Sequence, residues 1–525
     1  MRFFLVVFVL IFFTYQLNGE ERLSIIPVPS FYEINKGNFR FNGNVRLFAD
    51  PEFKSELHFF QKELLRYKEF AVSTASCKEK ADVIFKFRNL GCEILYQLEV
   101  TENRIFVYSG SDKGIFYGAI SLLQLINNAD LVDNSFLIPS LKIKDSPAYE
   151  WRGLMLDESR HFFGVEKVKS ILDWMAYYKL NRFHWHLTDS PGWRIEIQKY
   201  PKLGLVGGIG NHTNPYAPAK YYTQEEIQEI VTYALERKIV IIPEIDMPGH
   251  ATAANRAYPE YSGGGSERFP DWTFHPGKED TYQYLTNILK EVDVLFPSQM
   301  IHLGGDEVSF GNHQWKTDPD VQELMRRHNL EDLKAVEDYF MRRMSDSLMK
   351  LNNHVLVWDE MADAGLPEDR SIIFWWRHDQ PEQLQMGLKN GHRTVICPRL
   401  PFYFDFVQNE SHRFGRKWGD RFNELHDVYN FSLSNLSIAD EYEPLILGFQ
   451  VNVWTETINS DKRLDYMMFP RIAAFAETVW LKEKYKDYDS FLLRLKQHLN
   501  LYRHYQLYFY NPFDENEYPE PVLLF

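Results

Sequence analysis

The chain has 525 residues, of which 45% are hydrophobic and 16% aromatic, and its formal net charge at pH 7 is −15. This length exceeds one ordinary domain, and the hydrophobic content is sufficient for a large core. The negative charge argues against nucleic acid or an anionic membrane surface as the main partner, because both would repel the protein.

The amino terminus resembles a secretory signal peptide. Arg2 provides the charged start, Phe3 to Phe13 form an apolar run, and Asn18-Gly19 is a plausible small-residue cleavage site. The run is short for a membrane span of about 20 residues. We therefore predict cleavage of residues 1–20 and a secreted or lysosomal protein that has no membrane span after cleavage.

The three cysteines, Cys77, Cys92 and Cys397, are too few for a disulfide scaffold. Cys77 and Cys92 could pair in an oxidising compartment, and we expect Cys397 to be buried in a strand. No Cys/His cluster has zinc-ligand spacing. Four sequons predict a glycoprotein if they are exposed in a glycosylating host, at Asn211, Asn409, Asn430 and Asn435.

Residues 21–147 are predicted to form a small α/β domain. Its strands are predicted at Val45 to Phe48, Val83 to Phe87, Leu95 to Val100 and Ile105 to Tyr108, and its helices at Glu56 to Phe70 and Lys113 to Ile126. No catalytic group of residues is evident here, so we interpret this domain as packing support. Asp145-Ser146-Pro147 marks its end.

From Trp151 onward, short apolar strands alternate with longer helical stretches. The strands are predicted at residues 153–156, 182–187, 239–243, 300–303, 355–358, 372–375, 394–396 and 445–451. The helices are predicted at residues 166–178, 223–237, 281–295, 333–351, 381–389 and 464–481. Eight strands with helices between them predict an α/β fold with a (β/α)8 TIM barrel over residues 148–500. The aromatic, proline-rich tail, residues 501–525, is expected to pack on the barrel.

Polar and aromatic residues follow the predicted barrel strands, at the ends where such barrels carry their chemistry. The polar ones include Asp157, Arg160, His161, Asp189, Glu244, Asp246, His250, Asp306, Glu307, Asp359, Glu360, Arg377, Arg399, Tyr403, Asp405, Gln450, Asn452 and Glu456. Helix capping explains some of the acidic residues, but it does not explain tryptophans at three of the eight ends. Polar groups between flat aromatic walls are typical of a sugar pocket.

The pair Asp306-Glu307 follows an apolar strand and two glycines, Gly304 and Gly305. Two carboxylates held close together raise the pKa of one, so one stays protonated while the other is ionised. Glycoside hydrolysis needs this division between an acid and a stabilising anion. Taken alone, the dipeptide also fits a solvated turn; the aromatic surroundings favour catalysis.

With these motifs in view, the chain from about Ile25 to Trp480 resembles the β-N-acetylhexosaminidases of glycoside hydrolase family 20. The resemblance is carried by Trp151 to Asp157 with Ser159 to His161, His184 to Asp189, Pro243 to His250, His302 to Val308 and Val357 to Glu360. It implies exo cleavage of terminal β-linked GlcNAc or GalNAc with retention, the substrate's own acetamido oxygen forming an oxazolinium intermediate. It implies neither cofactor nor metal, and it allows a homodimer.

The resemblance also implies residue roles. Glu307 is the general acid and then the base, Asp306 holds the acetamido N–H, and Tyr403 binds the acetamido oxygen. The substrate-binding residues are Arg152, Asp189, His250, Trp358, Trp375, Trp376, Asp405, Trp454 and Glu456, with Asp246 and His302 in support. Thr455 departs from the glycine of many members, and the Trp375-Trp376 doublet leaves open which ring stacks.

Three interpretations remain beside this one. His184 and His186 have the spacing of a metal pair in metal-dependent hydrolases, although packing against Asp189 or Asp246 is favoured because later histidine ligands and a bridging lysine are missing. Asp157 and Arg160 fit either an ion pair or a substrate contact. A secreted lectin on a degenerate hydrolase scaffold would keep the aromatic residues but lose the acid. The preference between GlcNAc and GalNAc stays open.

Overall fold

The structure is a computed structural model that describes residues 23–68 and 71–523, so the predicted signal peptide lies outside the described residues. None of the helices in those two segments is long and apolar enough to cross a bilayer. Cys77 and Cys92 are not bonded to each other in this structure, and Cys397 is buried directly after a strand.

The amino-terminal domain is one mixed sheet packed on two helices. Its strands are β1 (Phe31–Phe41), β2 (Arg46–Ala49), β3 (Ser73–Thr74), β4 (Val83–Phe87), β5 (Tyr96–Val100), β6 (Ile105–Ser109), β7 (Leu131–Val132) and β8 (Ser135–Asp145), and its helices are α1 (Lys54–Lys68) and α2 (Asp112–Asn127). The strand order is β1-β8-β5-β6-β4-β2-β3, with β7 beside β8. The long strands β1 and β8 were not predicted; β1 is mostly exposed, so its sequence lacks an apolar pattern.

The second domain is a closed barrel of eight parallel strands, which confirms the predicted fold class. The strands are β9 (Trp151–Asp157), β10 (Arg182–His186), β11 (Val240–Met247), β12 (Met300–Gly304), β13 (His354–Trp358), β14 (Ser371–Trp375), β15 (Arg393–Ile396) and β16 (Ile446–Val453). Parallel strands covered on both faces read as continuous apolar runs. This is why all eight were predicted from the sequence.

Helices surround the barrel, and the last of them ends at His504. They are α3 (Val165–Tyr177), α4 (Gln224–Glu236), α5 (Thr252–Ala257), α6 (Glu279–Leu295), α7 (Pro319–His328), α8 (Leu333–Met349), α9 (Pro381–Lys389), α10 (Arg399–Phe402), α11 (Leu425–Asn430), α12 (Asp461–Met468), α13 (Arg471–Trp480) and α14 (Tyr488–His504). The single helix predicted at residues 464–481 is wrong. It is divided at Phe469-Pro470, because proline lacks the N–H that a continuous helix needs.

The last residues contact the barrel. Phe509 is fully buried, and the Glu520 carboxylate accepts hydrogen bonds from the backbone amides of Arg413 and Phe414. The same carboxylate lies 3.4 Å from Arg463 of α12. The tail therefore fixes the loop that follows β15.

Arg152 lies where the small domain meets the barrel. Its guanidinium donates to the Lys179 and Tyr149 carbonyls (2.9 and 2.8 Å) and to the Tyr117 hydroxyl (2.6 Å), and it is buried. The assignment of Arg152 to substrate hydroxyls was therefore wrong. Strand β9 begins beside Arg152 and ends at Asp157, and only its carboxyl end reaches the mouth of the barrel.

Candidate active site

A hollow of about 420 Å³ opens at the carboxyl ends of the barrel strands. It is lined by Arg160, His250, Asp306, Glu307, Trp358, Trp376, Arg399, Tyr403, Phe406, Arg416, Lys417, Trp418, Trp454 and Glu456. Eight of these are among the residues predicted to catalyse or to bind substrate. Barrel strands thus bring together side chains that lie up to about 300 positions apart in sequence.

The floor of the hollow is the turn after β12. Gly304 and Gly305 have φ angles of 70° and 93°, and Glu307 is also left-handed at 50°. A Cβ atom on Gly304 would lie 1.8 Å from Asp246 Oδ1. Glycine is therefore required there both by the backbone conformation and by the close approach of Asp246.

The variant Gly304→Ala is expected to lower the free energy of unfolding by about 1–3 kcal/mol, because it combines a strained φ with this clash. Urea unfolding would measure the loss. Gly387→Ala is the matched control: it lies within α9, and its new Cβ would meet its neighbours at 3.8 Å. That variant should be as stable as the parent or slightly more so, and equal losses would contradict the explanation.

Asp306 and Glu307 sit in different electrostatic environments. Burial raises the pKa of Glu307, the positive charge of His250 opposes the rise, and Asp306 adds to it. His250 Nε2 lies 3.4 Å from Asp306 Oδ2 and 3.6 Å from Glu307 Oε2. Asp306 Oδ1 is buried with no hydrogen-bond partner among the residues that the structure describes. The turn thus presents an acid with raised proton affinity next to a buried acceptor.

Asp246 lies beneath this pair in surroundings that favour its protonated form. Burial and the negative charge of Asp306 raise its pKa well above the ordinary value, and neither carboxyl oxygen has a hydrogen-bond partner among the described residues. A proton on Asp246 limits the negative charge of the cluster, because three ionised carboxylates at this depth would repel each other. Its predicted supporting position agrees with this geometry.

A buried chain of hydrogen-bonded side chains leads from His250 away from the hollow. His250 Nδ1 lies 2.9 Å from Asp189 Oδ1, and His186 bridges Asp189 (3.0 Å) and Glu244 (2.6 Å) through its two ring nitrogens. Burial alone would lower the pKa of His186, but the two carboxylates raise it well above the ordinary value. Asp189 lies behind His250 and not on the wall of the hollow, so its assignment to substrate binding was wrong.

Glu244 is the centre of the group below the hollow. One oxygen accepts the indole N–H of Trp358 (2.9 Å) and lies 3.1 Å from His302 Nδ1, and the other lies 2.9 Å from His184 Nε2. Gln450 donates to the remaining ring nitrogen of His184. These contacts support the packing interpretation of the His184-x-His186 pair, and they fix the Trp358 ring.

Among the described residues, four groups have atoms close enough together to hold a metal ion: His184 with Glu244 and His302, His186 with Asp189 and Asp246, Asp246 with His250 and Asp306, and His275 with Asp318 and Asp320. In the first group, His184 Nε2 and His302 Nδ1 lie 2.9 and 3.1 Å from Glu244. In the second, the two ring nitrogens of His186 already lie at hydrogen-bond distance from Asp189 and Glu244. The third contains Asp306 with its neighbours Asp246 and His250.

Aromatic rings form the walls. Trp376 stacks parallel to Tyr403 at 6.2 Å between centroids, and Trp454 lies 6.1 Å from Tyr403 and 6.0 Å from Trp358. Trp375 is not part of these walls. It belongs to the outer core, and its indole N–H donates to the Gln380 carbonyl, because successive side chains of β14 point to opposite faces. Its assignment to substrate binding was wrong, and Trp376 is the ring at the hollow.

Charged residues line the far side. Arg160 lies 2.7 Å from Asp189 and 3.5 Å from Asp157, so the predicted ion pair is present; it also reaches the hollow, and the substrate contact stays a prediction. Asp405 is buried just behind the wall, and Glu456 lies on it. The sequence analysis missed Arg416, Lys417 and Trp418. They belong to the long loop after β15, where no strand end points to them.

Comparisons with known proteins agree with this geometry. The chain matches the models of the glycosyl hydrolase family 20 catalytic domain over residues 149–483 and of its domain 2 over residues 22–146. A β-hexosaminidase of Porphyromonas gingivalis is 34% identical over 413 residues, 76% of this chain and 52% of that protein. One of Vibrio furnissii is 31% identical over 476 residues, 86% of this chain and 76% of that protein. This chain therefore spans about half the length of the Porphyromonas gingivalis protein.

A solved structure is similar throughout. It is a family 20 exo-β-N-acetylglucosaminidase of Vibrio harveyi in complex with N-acetylglucosamine, with a TM-score of 0.87 and 31% identity. The match covers 94% of this chain and 79% of that one.

Proposed function

Because the chain belongs to glycoside hydrolase family 20 and is a glycoside hydrolase of the β-hexosaminidase type, we propose that it removes terminal β-linked N-acetylglucosamine or N-acetylgalactosamine by exo action with retention. The observation that carries this proposal is the adjacency of Asp306 and Glu307 on one turn beneath tryptophan walls. The nucleophile is the substrate's 2-acetamido oxygen. The substrate is a glycan with a free terminal amino sugar.

In the first step Glu307 gives its proton to the glycosidic oxygen. The bond from that oxygen to C1 breaks while the amide oxygen forms a bond to C1, which produces an oxazolinium ion and frees the leaving alcohol. Asp306 accepts the amide N–H and balances the developing positive charge, and the Tyr403 hydroxyl donates to the amide oxygen. A tethered nucleophile has a high effective molarity, so no protein nucleophile is needed.

In the second step the Glu307 carboxylate takes a proton from water. The water oxygen attacks C1, the bond from C1 to the amide oxygen breaks, and the acetamido group is restored. Glu307 is protonated again and the product keeps the β configuration after two inversions. Burial, which raises the pKa of Glu307, suits a group that must both give and take a proton.

Recognition of the sugar hydroxyls falls to the far side of the hollow. Asp405 Oδ1 and Glu456 Oε2 are buried without a hydrogen-bond donor among the described residues, and Asp405 Oδ2 has the ion-pair contact with Arg416 at 3.1 Å. Unfilled buried acceptors are costly, and sugar hydroxyls are donors of the right kind. Arg160 offers N–H groups beside them, and Trp454 offers an apolar face.

The proposal is tested with matched aryl β-glycosides of N-acetylglucosamine, N-acetylgalactosamine and glucose. We expect the glucoside to react at least about 10³-fold more slowly, because it lacks the tethered amide that supplies the effective molarity. Hydrolysis rates and product stereochemistry are followed by NMR. Efficient glucoside cleavage or inversion would contradict the mechanism, and sugar binding without turnover would favour the lectin.

A further inference from the structure

One arginine of the hollow touches two of the proposed sugar-binding carboxylates. Arg416 Nη2 lies 2.5 Å from Glu456 Oε1, and its Nε lies 3.1 Å from Asp405 Oδ2. Its backbone is fixed beside one of them: the Arg416 amide donates to the Asp405 carbonyl, and the Val407 amide donates to the Arg416 carbonyl. The side chain is half exposed and reaches the hollow. It therefore forms a bridge that solvent and substrate can reach.

Other charges near Asp405 do not replace this bridge. Asp405 faces Arg416, Glu456 and Arg471. The Arg471 guanidinium is buried and donates to four backbone carbonyls, so its hydrogen bonds are already used. Burial raises the pKa of Asp405 to about 7, and Arg416 is the largest influence that opposes this.

Glu456 depends on the same bridge. It faces Arg160, Arg416 and His212; burial would raise its pKa, but the two arginines hold it below the ordinary value. Arg160 also serves the ion pairs with Asp157 and Asp189. Without Arg416, Asp405 and Glu456 would repel each other and retain a proton to higher pH. A protonated carboxyl donates a hydrogen bond where a sugar hydroxyl needs an acceptor.

We propose that Arg416 is a specificity-determining residue, which favours the ionised forms of Asp405 and Glu456 and orients both to accept hydrogen bonds from the outer hydroxyl groups of the terminal sugar. The inference rests on the proposed function and goes beyond it. It assigns the recognition of these hydroxyls to a bridged pair of carboxylates, and it makes their protonation the factor that sets sugar affinity.

The test compares Arg416→Gln with Arg413→Gln. Arg413 is exposed in the same loop and lies outside the hollow, and its guanidinium has no carboxylate of the described residues within 4 Å. Both variants exchange the same side chain and lose one positive charge. Arg416→Gln should raise KM about tenfold with kcat changed less than about twofold, as expected when a charge-assisted contact is lost from ground and transition states alike. Arg413→Gln should keep KM within about twofold of the parent.

Two further readouts separate this role from a structural one. The test is repeated on 4-deoxy and 6-deoxy substrates, as in a double-mutant cycle. If the substrate lacks the hydroxyl that the carboxylates bind, Arg416→Gln should raise KM little above the parent's KM for the same substrate. The KM of the parent should fall as pH rises through about 7, where Asp405 ionises, and Arg416→Gln should move this fall to higher pH.

An equal penalty on every deoxy substrate, an unmoved pH profile, or the same loss in Arg413→Gln would overturn the proposal. Calorimetric titration with N-acetylglucosamine makes the same comparison without turnover. If the parent hydrolyses no β-N-acetylhexosaminide, the proposed function fails. If the parent binds the sugar and Arg416→Gln binds it equally well, the role of Arg416 fails by itself.

Discussion

Replacing Glu307 by Gln is expected to slow cleavage of substrates with poor leaving groups by about 10²–10⁴-fold, because the amide cannot protonate the departing oxygen. Substrates whose leaving group is already acidic, such as dinitrophenyl glycosides, need little proton donation and should lose much less in the first step. The measurement is kcat/KM over a series of aryl N-acetyl-β-glucosaminides. The variant should show a steeper dependence on the pKa of the leaving group than the parent.

The pH profile provides a second readout of the same substitution. A raised pKa means that Glu307 holds its proton to higher pH than an ordinary glutamate, and that the acid form is lost as pH rises through the raised value. The parent should therefore lose activity on the alkaline side, and the Gln variant should lack this limb on activated substrates.

Glu456→Gln is the matched control, since it makes the same chemical change in the same hollow on a carboxylate bound to Arg416. It should raise KM and leave the leaving-group dependence unchanged. Identical leaving-group dependence in both variants would remove Glu307 from its role as the acid.

Much of the fold could be predicted because the barrel strands are buried on both faces and read as apolar runs. The failures have local causes. Strand β1 pairs along the edge of its sheet with most side chains exposed, so hydrophobicity gives no signal. The break between α12 and α13 depends on Pro470, which lies within a continuous apolar pattern that hides the interruption.

The site was predicted where residues directly follow strands, as for Asp306, Glu307, Trp358 and Trp454. Arg152 and Trp375 were wrongly assigned to the site for a geometric reason. The sequence shows which strand a residue belongs to, but whether its side chain reaches the hollow depends on its position along the strand and on the face of the strand to which it points. The bridge of Arg416 could not be predicted, because the loop after β15 has no periodicity that relates residue 416 to residues 405 and 456.

The buried contacts of Glu244 could not be predicted from the sequence either. Its partners His184, His302 and Trp358 come from three other strands and meet only when the barrel closes. The sequence indicated His184 as a local pair with His186 and could not show that the Glu244 carboxylate joins His184 to His302 and Trp358.

Replacing Asp306 by Asn should lower kcat by about 10²–10³-fold, the range found when one electrostatic stabiliser of a transition state is removed. Asn still offers an oxygen to the amide N–H, but it has no negative charge to balance the oxazolinium ion. Because Asp306 acts on the substrate amide and not on the leaving oxygen, the loss should be similar across the aryl series, in contrast to Glu307→Gln.

Asp246→Asn is the control that isolates charge from shape. Asp246 lies in the same buried cluster, but burial and its neighbour Asp306 raise its pKa well above the ordinary value, which favours the neutral form. Exchange for an amide therefore removes no negative charge there, and kcat should fall less than about tenfold, the cost of a modest change in packing or hydrogen bonding. If both asparagine variants lose activity equally, the charge of residue 306 is not what the reaction uses. If only Asp306→Asn is inactive, the carboxylate of Asp306, beside the protonated Asp246, is the single anion that balances the positive charge of the intermediate.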